Sequence, residues 1–437
     1  MGRWISRVGL RRRTLLCLCA FWWALTLGLG AGAQADDEEL EARARRILRE
    51  VPLIDGHNDL PWAVREKAQG RLEELDLATD TKPDTMQTDL VRLRAGGVGG
   101  QFWSVYVPVE MTGAAAVIAV LEQIDVVHRL VQRFPETLEL ARTADDIERI
   151  HAQGRVASLI GMEGGHCIDN NLSILRQLYN LGARYMTLTH SSNTDWADAC
   201  SDEPAHAGLS PYGEEVVREM NRLGMLVDLS HVSPATMHDA LDVSVSPVIF
   251  SHSAARATMD HVRNVPDDVL ERLPENGGIV MVTFVPHFVS EAVLEHYAEE
   301  KAQEARLQVR YPGHDRKVAE EVQAWLVANP YPPATAAQVA DHIEHVIRVA
   351  GIDHVGLGSD FDGIPFAPED LDDVSRFPNL LVELLRRGHS NDDVKKIVGR
   401  NALRVLRENE RVAKELQGKR SPSSMRHEDA PAAHAGR

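Results

Sequence analysis

The chain has 437 residues, 44% of them apolar and 26% charged, with 31 glycines and 21 prolines. This is material for one large domain or two to three ordinary ones, and it excludes collagen-like and low-complexity chains. Lysine and arginine number 47 against 65 acidic residues, a net charge of −18. That balance argues against a nucleic-acid or anionic-membrane binder, because phosphate recognition starts from a positive surface.

Residues 1–35 read as a signal peptide. Arg3, Arg7, Arg11, Arg12 and Arg13 precede an apolar run from Leu15 to about Leu29, and Ala33-Gln34-Ala35 then meets Asp36-Asp37-Glu38-Glu39. A basic start, an apolar centre and a small-residue cleavage site are the three parts of such a leader. Trp22 and Trp23 lengthen the apolar run, so an uncleaved membrane anchor is the competing reading. Cleavage after Ala35 is expected, giving a periplasmic or secreted product. Nothing later approaches the roughly 18 apolar residues of a membrane span, so no stable membrane insertion is expected after cleavage. Cys17 and Cys19 fall in the leader, which leaves Cys167 and Cys200; whether these two pair stays open.

Leu40, Ala44, Ile47 and Leu48 give residues 37–50 one apolar helical face. Short apolar runs then alternate with helical patterns. The expected strands are Val51–Asp55, Gln101–Val107, Val156–Met162, Tyr185–Thr189, Met225–Leu229, Pro247–Phe250, Ile279–Phe284 and Val355–Gly358. Their near-continuous apolar character suits strands covered on both faces. Between them, Ser210-Pro211 and Ser233-Pro234 supply helix starts, Gly224 and Gly351 supply stops, and Ser390 caps a last helix. Eight strands alternating with helices argue for an α/β fold of the (β/α)8 TIM-like barrel type, with a doubly wound open sheet as the alternative. The domain is expected to span 36–417. Residues at about 290–335 form a charged, helical insertion over one face, and 418–437, with Met425 as the lone large apolar residue, form a disordered tail.

The chemistry gathers at strand ends. His57 and Asp59, two residues apart on extended backbone, point the same way and offer borderline and hard ligands. His231 and His252 each follow an apolar strand, and Glu163 ends another. Those five residues make a two-metal shell, although 19 histidines would place some at strand ends by chance. His166 and His261 read as structural, and His287 as a residue of a surface, turn or helix.

Longer motifs carry a resemblance. Asp55-Gly56-His57-Asn58-Asp59-Leu60-Pro61, Glu163-Gly164-Gly165-His166, Leu188-Thr189-His190, Asp228-Leu229-Ser230-His231-Val232-Ser233 and Phe250-Ser251-His252-Ser253 resemble the renal, or membrane, dipeptidase family of metallopeptidases, family M19. So do Arg263-Asn264-Val265-Pro266-Asp267-Asp268 and Gly358-Ser359-Asp360-Phe361-Asp362-Gly363, and the similarity runs from about residue 45 to 408 in the family's order. The resemblance implies a barrel with two Zn²⁺ ions. His57 and Asp59 match ligands of the first metal, His231 and His252 those of the second, and Glu163 the bridging carboxylate. His190 matches a residue at the scissile region, Arg263 the one that receives the substrate carboxylate, and Asp360 the acid near the free amine and the bridging water. The implied activity is hydrolysis of dipeptides, including those with a C-terminal D-residue, and in several members of certain β-lactams. The chain departs from mammalian members at Ser192 and Val109, where their disulfide would need cysteines, and it ends without an apolar anchor signal.

The implied mechanism is physically coherent. A water shared by two divalent ions becomes hydroxide near neutrality and attacks a polarised carbonyl. His190 would donate to the developing oxyanion, Asp360 would carry the proton to the leaving nitrogen, and Arg263 would clamp a terminal carboxylate. Pro61 and Trp62 would wall the pocket. A β-lactam or other cyclic amide hydrolase on the same site is the alternative; a carbamylated lysine bridge, common among such enzymes, finds no lysine at any of the eight strand ends. A solute-binding protein that had lost catalysis would be expected to lack a ligand. No GxSxG elbow or Walker loop occurs, and Gly96-Gly97-Val98-Gly99-Gly100 reads as a permissive turn entering strand two. A homodimer is one compatible assembly.

Overall fold

The computed structural model describes residues 37–79 and 86–431. The leader, 1–35, lies outside the described residues. The strands are β1 (Leu53–Asn58), β2 (Val98–Tyr106), β3 (Leu138–Leu140), β4 (Val156–Glu163), β5 (Ala183–Thr187), β6 (Leu226–Asp228), β7 (Ile249–Ser253), β8 (Ile279–Val282) and β9 (Val355–Leu357). Every pairing among them is parallel. β1 pairs with β2 and β9, the order then runs β8, β7, β6, β5, β4, and β4 returns to β2 with Gly100–Tyr106 beside Ala157–Glu163. Eight strands therefore close a barrel. The open-sheet alternative fails on that return pairing.

β3 is a ninth strand that the sequence did not signal. It is three residues long and pairs with Val156–Ser158 at the start of β4, whereas β5 pairs with Ile160–Glu163 at its end. Ile54, Phe102, Tyr185, Ile249 and Met281 come from five strands around the ring and meet in one apolar cluster. Side chains from so many strands can meet only across the barrel interior, which is a packed core rather than a pore.

Helices wrap the ring where their caps say they should. Ser210 and Ser233 each accept a backbone N–H from three residues on, opening helices Pro211–Leu223 and Pro234–Val243. Gly224 ends the first at φ 83°, a left-handed conformation that costs a glycine nothing. Ser390 forms a capping box with Asp393. Residues 37–50 are helical throughout.

Two strand ends and the tail differ in detail from the sequence reading, whereas the excursion after β8 is helical as expected. β1 and β7 run three residues beyond the expected ends, so His57 and His252 lie within strands rather than after them. The apolar run stops where side chains turn polar, but the ladder continues because those polar groups are paired: Asp55 accepts from Ser359 N–H and Oγ at 2.7 Å each, and Asp59 N–H donates to Phe361 O at 2.8 Å. The charged excursion after β8 is a helical pair, Glu291–Arg310 and Asp315–Ala328, packed mainly on itself and leaving Val309 84% and Val327 76% exposed. Of the tail expected to be disordered from residue 418, the described part continues a helix to Lys419 and then lies on the body to residue 431. Ser423 O accepts from Arg176 at 3.1 Å, its N–H donates to Glu219, and His427 meets Tyr212 edge-on. Polar contacts to the Arg176–Glu219 pair hold it, together with Met425 and Ala430 packed against the core. No helix among the described residues is long and apolar enough to cross a membrane.

Candidate active site

All eight residues singled out by sequence converge at the carboxyl ends of the strands. His57 and Asp59 come from the end of β1, Glu163 from β4, His190 from the turn after β5, and His231 from beyond β6. His252 belongs to β7, Arg263 to the loop after it, and Asp360 to the turn after β9. Their potential ligand atoms fall into three groups, each within 4.8 Å: His57, Glu163 and His252; Glu163, His190 and His231; and His57, Asp59 and Asp360. Glu163 belongs to the first two and His57 to the first and third, so the groups overlap as a two-ion centre requires.

Distances identify Glu163 as the hub. Its Oε1 lies 3.0 Å from His231 Nε2 and 3.5 Å from His252 Nε2, while Oε2 lies 3.4 Å from His57 Nε2 and accepts from Ser104 Oγ at 3.2 Å. The two Nε2 atoms of His231 and His252 are 2.9 Å apart. His57 Nε2 and Asp59 Oδ1 are buried with no hydrogen-bond partner. Buried donors and acceptors without partners are rare in folded proteins, and imidazole nitrogens converging on carboxylates suit a divalent cation. The residues fit a metal pair.

Contacts behind the candidate ligands bear on the tautomer that a metal would need. Tyr185 Oη lies 2.8 Å from His57 Nδ1. His252 Nδ1 lies 2.8 Å from Ser251 Oγ, which donates to Asp228 Oδ2 at 2.6 Å; Asp228 also accepts from Thr187 Oγ1 at 2.5 Å and Ser251 N–H at 2.8 Å. The tautomer in which Nδ1–H donates to each of these oxygens leaves Nε2 with a lone pair for a metal. Backbone strain marks the same turns, since His231, Asp360 and Asp362 hold φ near +70°, +69° and +64°. Gly363 has no room for a side chain: a Cβ there would stand 2.3 Å from Asp59 Oδ2 and 2.7 Å from Asp360 Oδ1.

Titration follows geometry. Burial, with the Arg263 guanidinium, holds His231 and His252 well below the ordinary histidine range, so both rings are neutral at pH 7. Burial likewise lowers His190. Burial opposes charge on Glu163, but the imidazoles of His57 and His231 outweigh it and hold the carboxyl well below its usual value. For His57 burial is again overcome, here by Tyr185, Glu163 and Asp59, and its basicity rises. Asp360 goes the other way: burial, reinforced by Asp59 and Glu163, raises it well above a normal aspartate.

The centre opens into a pocket of about 370 Å³ whose walls include Trp62, Tyr106, Arg263, His287, Phe288 and Ile364. Arg263 is 6% exposed; Nη2 donates to His252 O at 3.3 Å, and Nη1 is buried without a partner. Asp267 and Asp268, the acids that follow it in sequence, are engaged by His345 and His238.

The model of the membrane dipeptidase family, peptidase family M19, matches residues 41–420. The chain belongs to that family. Dipeptidase verJ of Clonostachys rogersoniana is 40% identical over 398 residues, covering 89% of this chain and 91% of its own length. An uncharacterized dipeptidase of Schizosaccharomyces pombe (strain 972 / ATCC 24843) is 43% identical over 385 residues, 85% of this chain and 84% of its own. Among solved structures, the probable dipeptidase PvdM from Pseudomonas aeruginosa superposes with a TM-score of 0.75 at 25% identity, covering 86% of this chain and 100% of that one. A metallo peptidase from Rhodobacter sphaeroides, liganded with a phosphinate mimic of L-Ala-D-Ala, shares the fold with a TM-score of 0.67 at 23% identity, over 82% and 99% of the two chains. Dipeptidase-type hydrolysis at a binuclear metal site is the activity that family membership and the Glu163-centred clusters support together.

In this M19 peptidase the sequence reading missed Tyr106, Asp362 and the 285–288 turn, all of which line the pocket. Tyr106 sits in an apolar strand and looks like core. His287, read as a surface, turn or helix residue, lies in the short helix Pro286–Val289, and no local signal marks it as a pocket residue. Cys167 and Cys200 are free thiols.

Proposed function

We propose that the chain is a two-zinc dipeptidase for substrates with a free C-terminal carboxylate, including those whose C-terminal residue has the D configuration. The observation that carries this reading is Arg263: a buried guanidinium with an open Nη1, in the same pocket as the Glu163-centred ligand groups. A planar cationic fork beside the metal centre suits a terminal carboxylate, and a carboxylate one residue from the scissile bond exists only when the leaving group is the last residue.

His57 and Asp59 would hold one ion and His231 and His252 the other, with Glu163, common to two of the ligand groups, as the shared carboxylate. Histidine and carboxylate donors suit zinc. Bound there, the pair supplies an activated water and a Lewis acid for the carbonyl. His190, in the pocket wall 3.7 Å from Glu163, donates to the carbonyl oxygen as charge develops. Asp360, in the pocket wall 4.0 Å from His57 Nε2, would take a proton and return it to the leaving nitrogen. The L-Ala-D-Ala mimic carried by the Rhodobacter sphaeroides peptidase supports the stereochemical part of the reading.

Elemental analysis together with an assay of Gly–L and Gly–D dipeptides, their C-terminal amides and a tripeptide tests the proposal. Two zinc ions per chain and turnover confined to free dipeptides are expected. Turnover of amides and tripeptides as fast as of free dipeptides would overturn it.

Export belongs to the same proposal: cleavage after Ala35 releases a chain beginning Asp36-Asp37-Glu38. N-terminal sequencing of the secreted or periplasmic product reads that start if the proposal holds, whereas residues 1–35 recovered intact in membranes would show an anchor.

A further inference from the structure

His287 stands in the wall of the active-site pocket with no task assigned to it. The short helix Pro286–Val289, directly after β8, sets it at the rim beside Phe288. Three rings fix its orientation. Tyr297, from the first helix of the excursion, lies flat against it with centroids 4.7 Å apart and planes 11° apart. Phe288 meets it edge-on at 4.5 Å, and His261 edge-on at 5.9 Å. Among the described residues neither ring nitrogen has a hydrogen-bond partner, although the residue is half-buried. Burial, then the nearby His261 and Arg263, lowers its pKa to about 4, so the ring is neutral and carries one N–H at pH 7.

Arg263 belongs to the same cluster. Its guanidinium lies over the Phe288 ring at 5.3 Å, and its backbone N–H donates to His261 Nδ1 at 3.2 Å. One fixed imidazole and one fixed guanidinium, each with an unused donor, thus open into one pocket. A carboxylate has acceptor sites for both. A neutral imidazole suits this place better than a second cation, because it adds a donor without repelling Arg263 when the pocket is empty.

Building on the dipeptidase reading, we propose that His287 is a substrate-binding residue that donates a second hydrogen bond to the terminal carboxylate held by Arg263. The aromatic stack holds the imidazole in place before substrate arrives, so little side-chain freedom is lost on binding. The excursion after β8 thereby contributes to specificity through Tyr297, far from the metal ligands in sequence.

The test uses His287→Phe, which keeps the stacking surface and removes the N–H, and His287→Asn, which restores a donor at similar reach. Steady-state kinetics on a free dipeptide and its amide are paired with the Kd of a non-hydrolysable phosphinate dipeptide and with metal content. For His287→Phe, KM and the phosphinate Kd should rise about tenfold, the scale of one hydrogen bond to a charged group, with kcat and metal content at parent values. The amide should show no added penalty, and His287→Asn should recover part of the loss. Equal penalties on free and amidated substrate, a loss confined to kcat, or unchanged KM would each overturn the assignment. Failure of the parent enzyme to prefer the free dipeptide would instead overturn the dipeptidase reading, and His287's role with it.

Discussion

The hydroxyl of Tyr185 lies 2.8 Å from Nδ1 of His57, inside a barrel where both residues are fully buried. Tyr185 stays protonated because burial raises its pKa far beyond neutrality. A neutral His57 has one proton, and placing it on Nδ1 towards Tyr185 leaves Nε2 free to face Asp59 and Glu163. Tyr185→Phe removes that acceptor at almost constant volume. Nδ1–H then has no partner, and the tautomer with Nε2–H, which cannot bind a metal, becomes competitive. We expect metal affinity to fall about 10–100-fold, the usual range for loss of a contact behind a ligand, with the fold retained. Chelator competition read by elemental analysis checks this, and unchanged affinity would remove Tyr185 from the metal centre's support.

Glu163→Gln tests the bridge. The amide keeps the shape of the carboxylate but lacks the charge that lets two cations sit side by side, and it cannot offer two equivalent oxygens. Occupancy should drop from two ions per chain to one or fewer, and turnover should fall with it. A variant with two tightly bound ions and parent activity would refute the bridging role.

Arg263→Lys separates substrate binding from metal binding. A lysine retains charge but not the parallel donors. The specificity constant for a free dipeptide should fall about 10–100-fold, matching a lost charge-assisted hydrogen bond of roughly 1.5–3 kcal/mol, while metal content is unchanged. Amidating the substrate should hurt the parent much more than the variant. A purely structural Arg263, tied to neighbouring acids, would give equal amide penalties; Asp267 and Asp268 already have other partners.

The ring of eight strands was legible because parallel strands buried on both faces carry apolar runs that interrupt the helical rhythm. The candidate ligand cluster was legible because a barrel delivers chemistry at the carboxyl ends of its strands, where His57, Glu163, His231 and His252 stand out against apolar neighbours. Residues defined by what they face after closure were not legible. Tyr185 and Asp228 lie in or at the end of apolar runs and read as core or turn, yet they orient His57 and His252 across the interior. Gly363 reads as a turn glycine, and only the folded chain shows Asp59 and Asp360 crowding its α-carbon. β3 failed for another reason: three residues are too few to display any period.

Acid stability offers a test away from the metal centre. His342, on the helix Ala336–Ala350, is fully buried and accepts the Ala255 N–H through Nδ1 at 3.1 Å. Burial lowers its pKa from 6.5 to about 4. The native protein therefore keeps this ring neutral down to about pH 4, while the unfolded chain takes up the proton below about 6.5. Between those values the unfolded state binds more protons, so stability falls as pH falls, by at most about 1.4 kcal/mol per pH unit for this one group. Above pH 6.5 it contributes no slope. His342→Gln keeps a hydrogen-bond acceptor for Ala255 but cannot titrate, and every other acid-sensitive group is common to both proteins. The stability difference between parent and variant, measured by urea unfolding at pH 7.5, 6 and 5, should be constant at the upper end and shift against the parent at the lower. A difference that stays flat from pH 7.5 to 5 would show that His342 protonates as readily in the folded protein as in the unfolded chain.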